Sequence, residues 1–195
     1  MKWSKRTWAV LALLCVVCGY VVYAGYARWR DDPQQHLTQV VFPASFAVSK
    51  DNDSAQAAAK RFADQPRYFM SAKVNENGDI VTTMTQDQLE IHINDNKQKI
   101  DRDRRSFLKD NPDYRYEYDA KTRTFSFYVN KNLSTNSTMG AMGQIPYLYG
   151  TNYYLEGGKG DWVYQTVLYN CHTNQEMARG TSDKKWTFKF EELGD

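Results

Sequence analysis

IVTTMTQDQLEIHINDNKQKIDRDRRSFLKDNP, residues 80–112, joins a period-two stretch to a helical one with hardly a residue between them. Ile80 to Met84 alternates apolar and polar side chains, the pattern of a strand with one buried face. Thr85-x-x-Gln88 follows as a capping box, in which the Thr hydroxyl and the Gln side chain satisfy each other's free backbone N–H groups and open a helix. Leu89, Ile93, Ile100 and Phe107 then recur near a seven-residue spacing, with Asn96 and Arg104 on the intermediate turns. This gives one apolar stripe on an otherwise charged helix. The helix is expected to end before Asn111-Pro112, because the residue preceding a proline is driven out of the helical region. Asp87 and Glu90 sit in its first turns and Arg102, Arg104, Arg105 and Lys109 in its last, which complements the helix dipole. Asp95 with Lys99 and Asp101 with Arg105 are i,i+4 pairs.

On the N-terminal side, Tyr68 to Val74 alternates and NENG precedes Ile80, so a β-hairpin is predicted with Gly78 supplying a positive φ. On the C-terminal side, YRYEYD (114–119) places three tyrosines on one strand face, and TFSFYV (124–129) places Phe125, Phe127 and Val129 on one face of the next. The short AKTR turn makes these a second hairpin. Met139, Met142, Ile145, Tyr149 and Tyr153 predict a helix within 138–155, interrupted by Gly140, Gly143, Pro146 and Gly150. GGKG breaks the chain before an expected strand over 162–170, a turn at HTNQ, a strand over 176–181, and a last strand carrying Trp186, Phe188 and Phe190. The order ββαββαβββ predicts an α+β domain with helices layered on one face of an antiparallel sheet. Before it, Ser54 to Gln65 reads as a short helix capped by Asp53 or Ser54. The expected organisation is an anchor at 1–30, a stalk with that short helix at 31–65, and the domain at 66–195.

The anchor rests on Thr7 to Ala27, 21 residues without a charge. As a helix at ~1.5 Å per residue they would span roughly the hydrocarbon thickness of a bilayer. Lys2, Lys5 and Arg6 precede the run, whereas Arg28 and Arg30 are followed by Asp31 and Asp32. The bias favours an inside N-terminus and a domain outside, a single-pass arrangement at the cell membrane with residues 7–27 in the lipid. Aromatic residues at both ends (Trp3, Trp8; Tyr20, Tyr23, Tyr26, Trp29) are placed like interfacial belts. The competing reading is a signal peptide cleaved near Ala24 or Ala27, which would leave a secreted protein. Cys15 and Cys18 lie inside the run, so Cys171 is the only thiol of the domain and has no internal disulfide partner there. Without residues 1–30 the chain carries 20 basic and 23 acidic side chains, so the pI of 8.3 belongs to the anchor and nucleic-acid binding is not expected.

IVTTMTQDQL (80–89), DYRYEYDAKTRTFSFYVNKNLS (113–134) and DWVYQTVLYNCHTNQEMARGT (161–181) together resemble a group of small exported proteins of Gram-positive bacteria, mostly lipoproteins of unknown function. The resemblance implies a fold of strands, turns and caps and no active-site residues. This chain lacks the small residue that lipoprotein processing places before the cysteine, so the apolar run would do the tethering.

Catalysis would need a nucleophile, a base within reach and an orienting group. Cys171 and His172 are adjacent at a strand end and would face opposite ways, with His36 and His92 as other possible bases. The three histidines are far apart in sequence and no zinc or EF-hand spacing is present, so neither metal nor cofactor is expected and no catalytic residue is assigned. Two features suit binding. Lys97 to Lys109 carries six basic and two acidic side chains, among them Lys97, Arg102, Arg104, Arg105 and Lys109, which would suit an anionic envelope polymer. Tyr147, Tyr149, Tyr153 and Tyr154 form an aromatic cluster suited to protein or sugar contacts. The expected function is therefore a non-catalytic, membrane-anchored domain that binds a cell-surface partner, either a membrane protein or an envelope polymer. The alternative is an envelope hydrolase or transferase using Cys171 and a histidine.

Overall fold

The computed structural model describes residues 15–25, 37–48, 54–110, 112–130 and 136–184. Helix α1 covers residues 15–25 and is followed by β1 (Leu37–Phe42), α2 (Ala44–Ala47), α3 (Ala55–Ala63), β2 (Ser71–Val74) and β3 (Ile80–Thr85). Then come α4 (Gln86–Asp110), β4 (Arg115–Asp119), β5 (Thr124–Val129), α5 (Asn136–Leu155), β6 (Gln165–Asn170) and β7 (Glu176–Thr181).

The local signals in the sequence are realised locally. Thr85 Oγ1 accepts from Gln88 N–H at 3.1 Å and Gln88 Oε1 accepts from Thr85 N–H at 3.0 Å, which closes the capping box at the start of α4. Gln88 Nε2 also donates to the Pro66 carbonyl at 2.9 Å and ties that start to the turn after α3. Gly78 has φ +84° in the β2–β3 hairpin, where the Asn75 side chain accepts from the N–H groups of Asn77 and Asp79. Ser54 caps α3 by accepting from Ala57 N–H at 3.1 Å.

The sheet arrangement differs from the expected single antiparallel sheet. There are two sheets, one of three strands in the order β1-β3-β2 and one of four in the order β4-β5-β6-β7. Strand β1 lies in the segment read as a stalk and pairs with β3 along its length, Leu37 opposite Thr85 and Phe42 opposite Ile80. Strand β6 runs parallel to β5, with Thr124 opposite Gln165 and Val129 opposite Asn170. The reason is the connection: helix α5 carries the chain back to the start of β5, and a crossover of that length delivers the next strand parallel. The expected strand over 162–170 accordingly begins only at Gln165, and the strand expected over 186–190 lies outside the described residues.

The transmembrane helix is also corrected. Of residues 7–27 the structure describes 15–25, a helix exposed at nearly every position. Among the described residues no helix is long and apolar enough to cross a membrane. The single-pass localisation and the extracytoplasmic placement of the domain lose their basis with it. Residues 7–14, 26 and 27 lie outside the described residues.

One apolar cluster joins the two sheets through α4 and α5. Phe42 of β1 is fully buried and packs edge-on against Phe62 of α3 and Tyr154 of α5 at 5.1 and 5.7 Å. On the second sheet Phe107 of α4 meets Phe127 at 5.6 Å and Tyr149 of α5 meets Phe125 at 5.5 Å. Each fully buried aromatic of this kind contributes about 1.5–3 kcal/mol. The stripe of α4 holds as read at Ile100, Phe107 and the buried Asn96, whereas Arg104 is exposed. Asn96 Nδ2 donates to Asn152 Oδ1 of α5 at 3.0 Å, a buried polar contact that sets the register of the two helices.

Candidate functional site

Three parts of the chain converge on one cleft of about 630 Å³: the middle of α4, the β4–β5 turn, and the C-terminal end of α5 with the loop after it. Its aromatic side chains are Tyr118, Tyr149, Tyr153 and Trp162, and its charged ones Lys97, Asp101, Arg123 and Glu156. Tyr118 faces the cleft because β4 alternates, and its ring lies 4.3 Å from Tyr149 and 4.5 Å from Phe125. Burial and the neighbouring Tyr149 raise the Tyr118 hydroxyl above the usual phenol range, so it stays protonated.

The loop after α5 is built around its aromatics. Tyr154 is buried, donates from its hydroxyl to the Gly160 carbonyl at 3.0 Å and accepts from Trp162 N–H at 2.9 Å. Trp162 is 8% exposed and donates from its indole to the Pro146 carbonyl at 3.1 Å. Tyr153 donates to the Lys159 carbonyl at 2.6 Å and lies 5.2 Å from the Trp162 ring. Gly158 passes so close to Tyr153 that a Cβ there would sit 2.5 Å from the ring.

Arg123 closes this side. It ends the β4–β5 turn with φ +52°, a left-handed conformation that a long side chain adopts at a cost of about 1–3 kcal/mol. Its guanidinium carbon stands 4.5 Å from the Tyr153 ring centre and 4.9 Å from that of Trp162. Nη1 donates to the Asp161 carbonyl at 3.3 Å. Among the described residues Lys97, Asp101, Arg123 and Glu156 enter no ion pair within 4.0 Å, with one another or with any other side chain.

A second groove of about 970 Å³ lies on the other side of the Asp161-Trp162 segment, between α2, the start of α5's last turns and the turn after β7. Tyr147 is 40% exposed there and stacks on Phe46 at 5.0 Å with the planes 4° apart. Ser45 donates to the Asp161 carboxylate at 2.8 Å beside it.

The residues singled out in the sequence are thus dispersed. Lys97, Tyr149 and Tyr153 line the cleft, Tyr147 lines the second groove, and Tyr154 is a buried structural residue. Arg102 and Arg105 lie on a shallow groove of about 500 Å³ along α4, with Arg102 paired to Asp103 at 3.5 Å. A turn of 100° per residue puts Lys97 and Arg104 on one side of the helix and Arg102, Arg105 and Lys109 on another, so the basic run does not form a single face. Sequence reasoning missed Arg123, Trp162, Tyr118, Asp101 and Glu156 as partners in one site. The available signal was Arg123 at the turn position where a glycine or asparagine is favoured.

Cys171 is 8% exposed, and burial pushes its thiol up, which keeps it protonated; its neighbour His172 is exposed. His92 is buried against Tyr68, ring centres 4.3 Å apart, with no partner for Nδ1; burial lowers its pKa to about 4. Among the described residues no group of three His, Cys, Asp or Glu side chains could hold a metal ion, and His36 lies outside them. No family model, curated protein or solved structure matches the chain.

Proposed function

We propose that this chain is a non-catalytic binding module that takes a polymeric saccharide in the cleft between α4, the β4–β5 turn and the end of α5. The observation that carries the reading is the set of four charged side chains, two of each sign, that share the cleft with aromatic rings and leave one another unpaired. A hydroxyl both donates and accepts, so a sugar uses Asp101 and Glu156 as acceptors and Lys97 and Arg123 as donors, while its C–H faces pack on Tyr149 and Tyr118. A purely cationic or purely apolar ligand would leave half of these groups desolvated without a partner. The buried, protonated Cys171 supports binding over thiol chemistry.

Calorimetric titration of the full chain with a panel of soluble polysaccharides tests this. At least one is expected to bind, and Lys97→Ala and Glu156→Gln, both at exposed positions, are each expected to weaken it several-fold, up to about tenfold. No binding across the panel, or binding indifferent to both variants, refutes the proposal.

A further inference from the structure

We infer that the saccharide taken by the cleft is an acidic one, and that Arg123 is the residue that selects it by pairing with an oxyanion carried on a sugar. The inference rests on the saccharide reading above and adds the ligand's charge and the residue that reads it.

The argument starts from what the chain spends on this side chain. Arg123 occupies a left-handed backbone position, φ +52°, in an exposed hairpin turn where glycine would fit without strain. Arginine stands there although the turn itself does not need it: the backbone contact at this residue, Gln165 N–H to the Arg123 carbonyl at 3.0 Å, is available to any amino acid. What the side chain adds lies in the cleft. Its guanidinium is held over two rings, 4.5 and 4.9 Å from their centres, so little torsional freedom remains to be lost on binding. One of its N–H groups is used, by the Asp161 carbonyl, and among the described residues the others have no partner. A guanidinium with its plane fixed and an N–H edge free is the shape that pairs two parallel donors with a carboxylate or phosphate; a lone hydroxyl cannot use both. Lys97, which also lines the cleft, supplies a second positive charge without a fixed geometry. Asp101 and Glu156 are left for the hydroxyls of the same sugar.

The test uses two matched pairs of polymers on the full chain: polygalacturonate with its methyl ester, and phosphomannan with unphosphorylated mannan. The acidic member of at least one pair is expected to bind roughly tenfold tighter or more than its neutral partner. Preference in the first pair identifies a carboxylate as the group read, and preference in the second a phosphate. Arg123→Gln should abolish the preference while leaving weak binding. Arg123→Gly, which fits the turn and guards against misfolding, should do the same with an unchanged circular dichroism spectrum. Equal binding of acidic and neutral members, or a preference that survives both substitutions, overturns the inference and leaves the saccharide reading standing. Failure of all four polymers to bind overturns the inference, while the saccharide reading falls only if the wider polysaccharide panel fails as well.

Discussion

Replacing Gly150 by alanine should destabilise the protein although it sits inside a helix, where alanine is ordinarily favoured. A Cβ at Gly150 would lie 2.5 Å from Cδ1 and 2.7 Å from Nε1 of Trp162, and 2.6 Å from Cε2 of Phe46. Ordinary carbon contacts are ~3.5–4.0 Å, so the rings must retreat by about 1 Å. Trp162 cannot do so freely, because its indole N–H is held by the Pro146 carbonyl at 3.1 Å and its backbone N–H by Tyr154. Overpacking of this kind costs about 1–3 kcal/mol, and the helix propensity of alanine returns about 1 kcal/mol, which leaves a net loss of about 1–2 kcal/mol when the upper part of the range applies. Gly143, in the same helix, is exposed and would place its Cβ against nothing within 4 Å. There the same substitution should stabilise by up to about 1 kcal/mol. Urea unfolding of both variants measures the contrast: the Gly150→Ala midpoint should fall by roughly 0.5–1 M and the Gly143→Ala midpoint should rise. Equal shifts in the same direction would refute the close approach of Gly150 to Trp162.

Burial holds the folded pKa of His92 at about 4, aided by Lys99 and opposed by Asp95, against ~6.5 in the unfolded chain. The unfolded state therefore binds more protons between these values, so stability is complete above pH ~6.5, declines as pH falls toward 4 and loses no more to this group below it, an effect of a few kcal/mol at most. His92→Phe, which keeps a ring against Tyr68, should flatten the pH dependence of the urea midpoint between pH 6.5 and 4.5; an unchanged slope would show that other groups cause it. Thiol labelling of the native protein with a chromogenic disulfide should find Cys15 and Cys18, both exposed, reacting at once and Cys171 only on unfolding; three fast thiols would contradict its burial. Asn96→Ala leaves the Asn152 Oδ1 without its donor between α4 and α5 and should cost about 1–3 kcal/mol in thermal or urea unfolding; a change below 0.5 kcal/mol would mean that the pair contributes no more than packing.

Local chemistry decided most of the elements. The Thr85-Gln88 box, Gly78, the alternation of Tyr114–Tyr118 and Phe125–Val129, and Ser54 act over a few residues, so their consequences can be read without knowing what they pack against. The helix over α5 was legible despite Pro146 because its flanking apolar positions recur at helical spacing. Strand β1 was not: LTQVVF is one short segment between prolines and polar residues, and only its pairing with β3 and the burial of Phe42 make it a strand. The partition into two sheets and the parallel β5–β6 pairing depend on where α5 lands, a choice among distant contacts that no single segment encodes. The site belongs to the same class. Lys97, Tyr149 and Tyr153 stood out in the sequence as candidates by residue type, yet Arg123 and Trp162 line the same cleft only because the β4–β5 turn and the loop after α5 meet in space. Residue identity determines periodicity, caps and turns because these are interactions between near neighbours. Which faces cover one another, and therefore which charges stand unpaired beside which rings, is settled by the tertiary packing that buries the core.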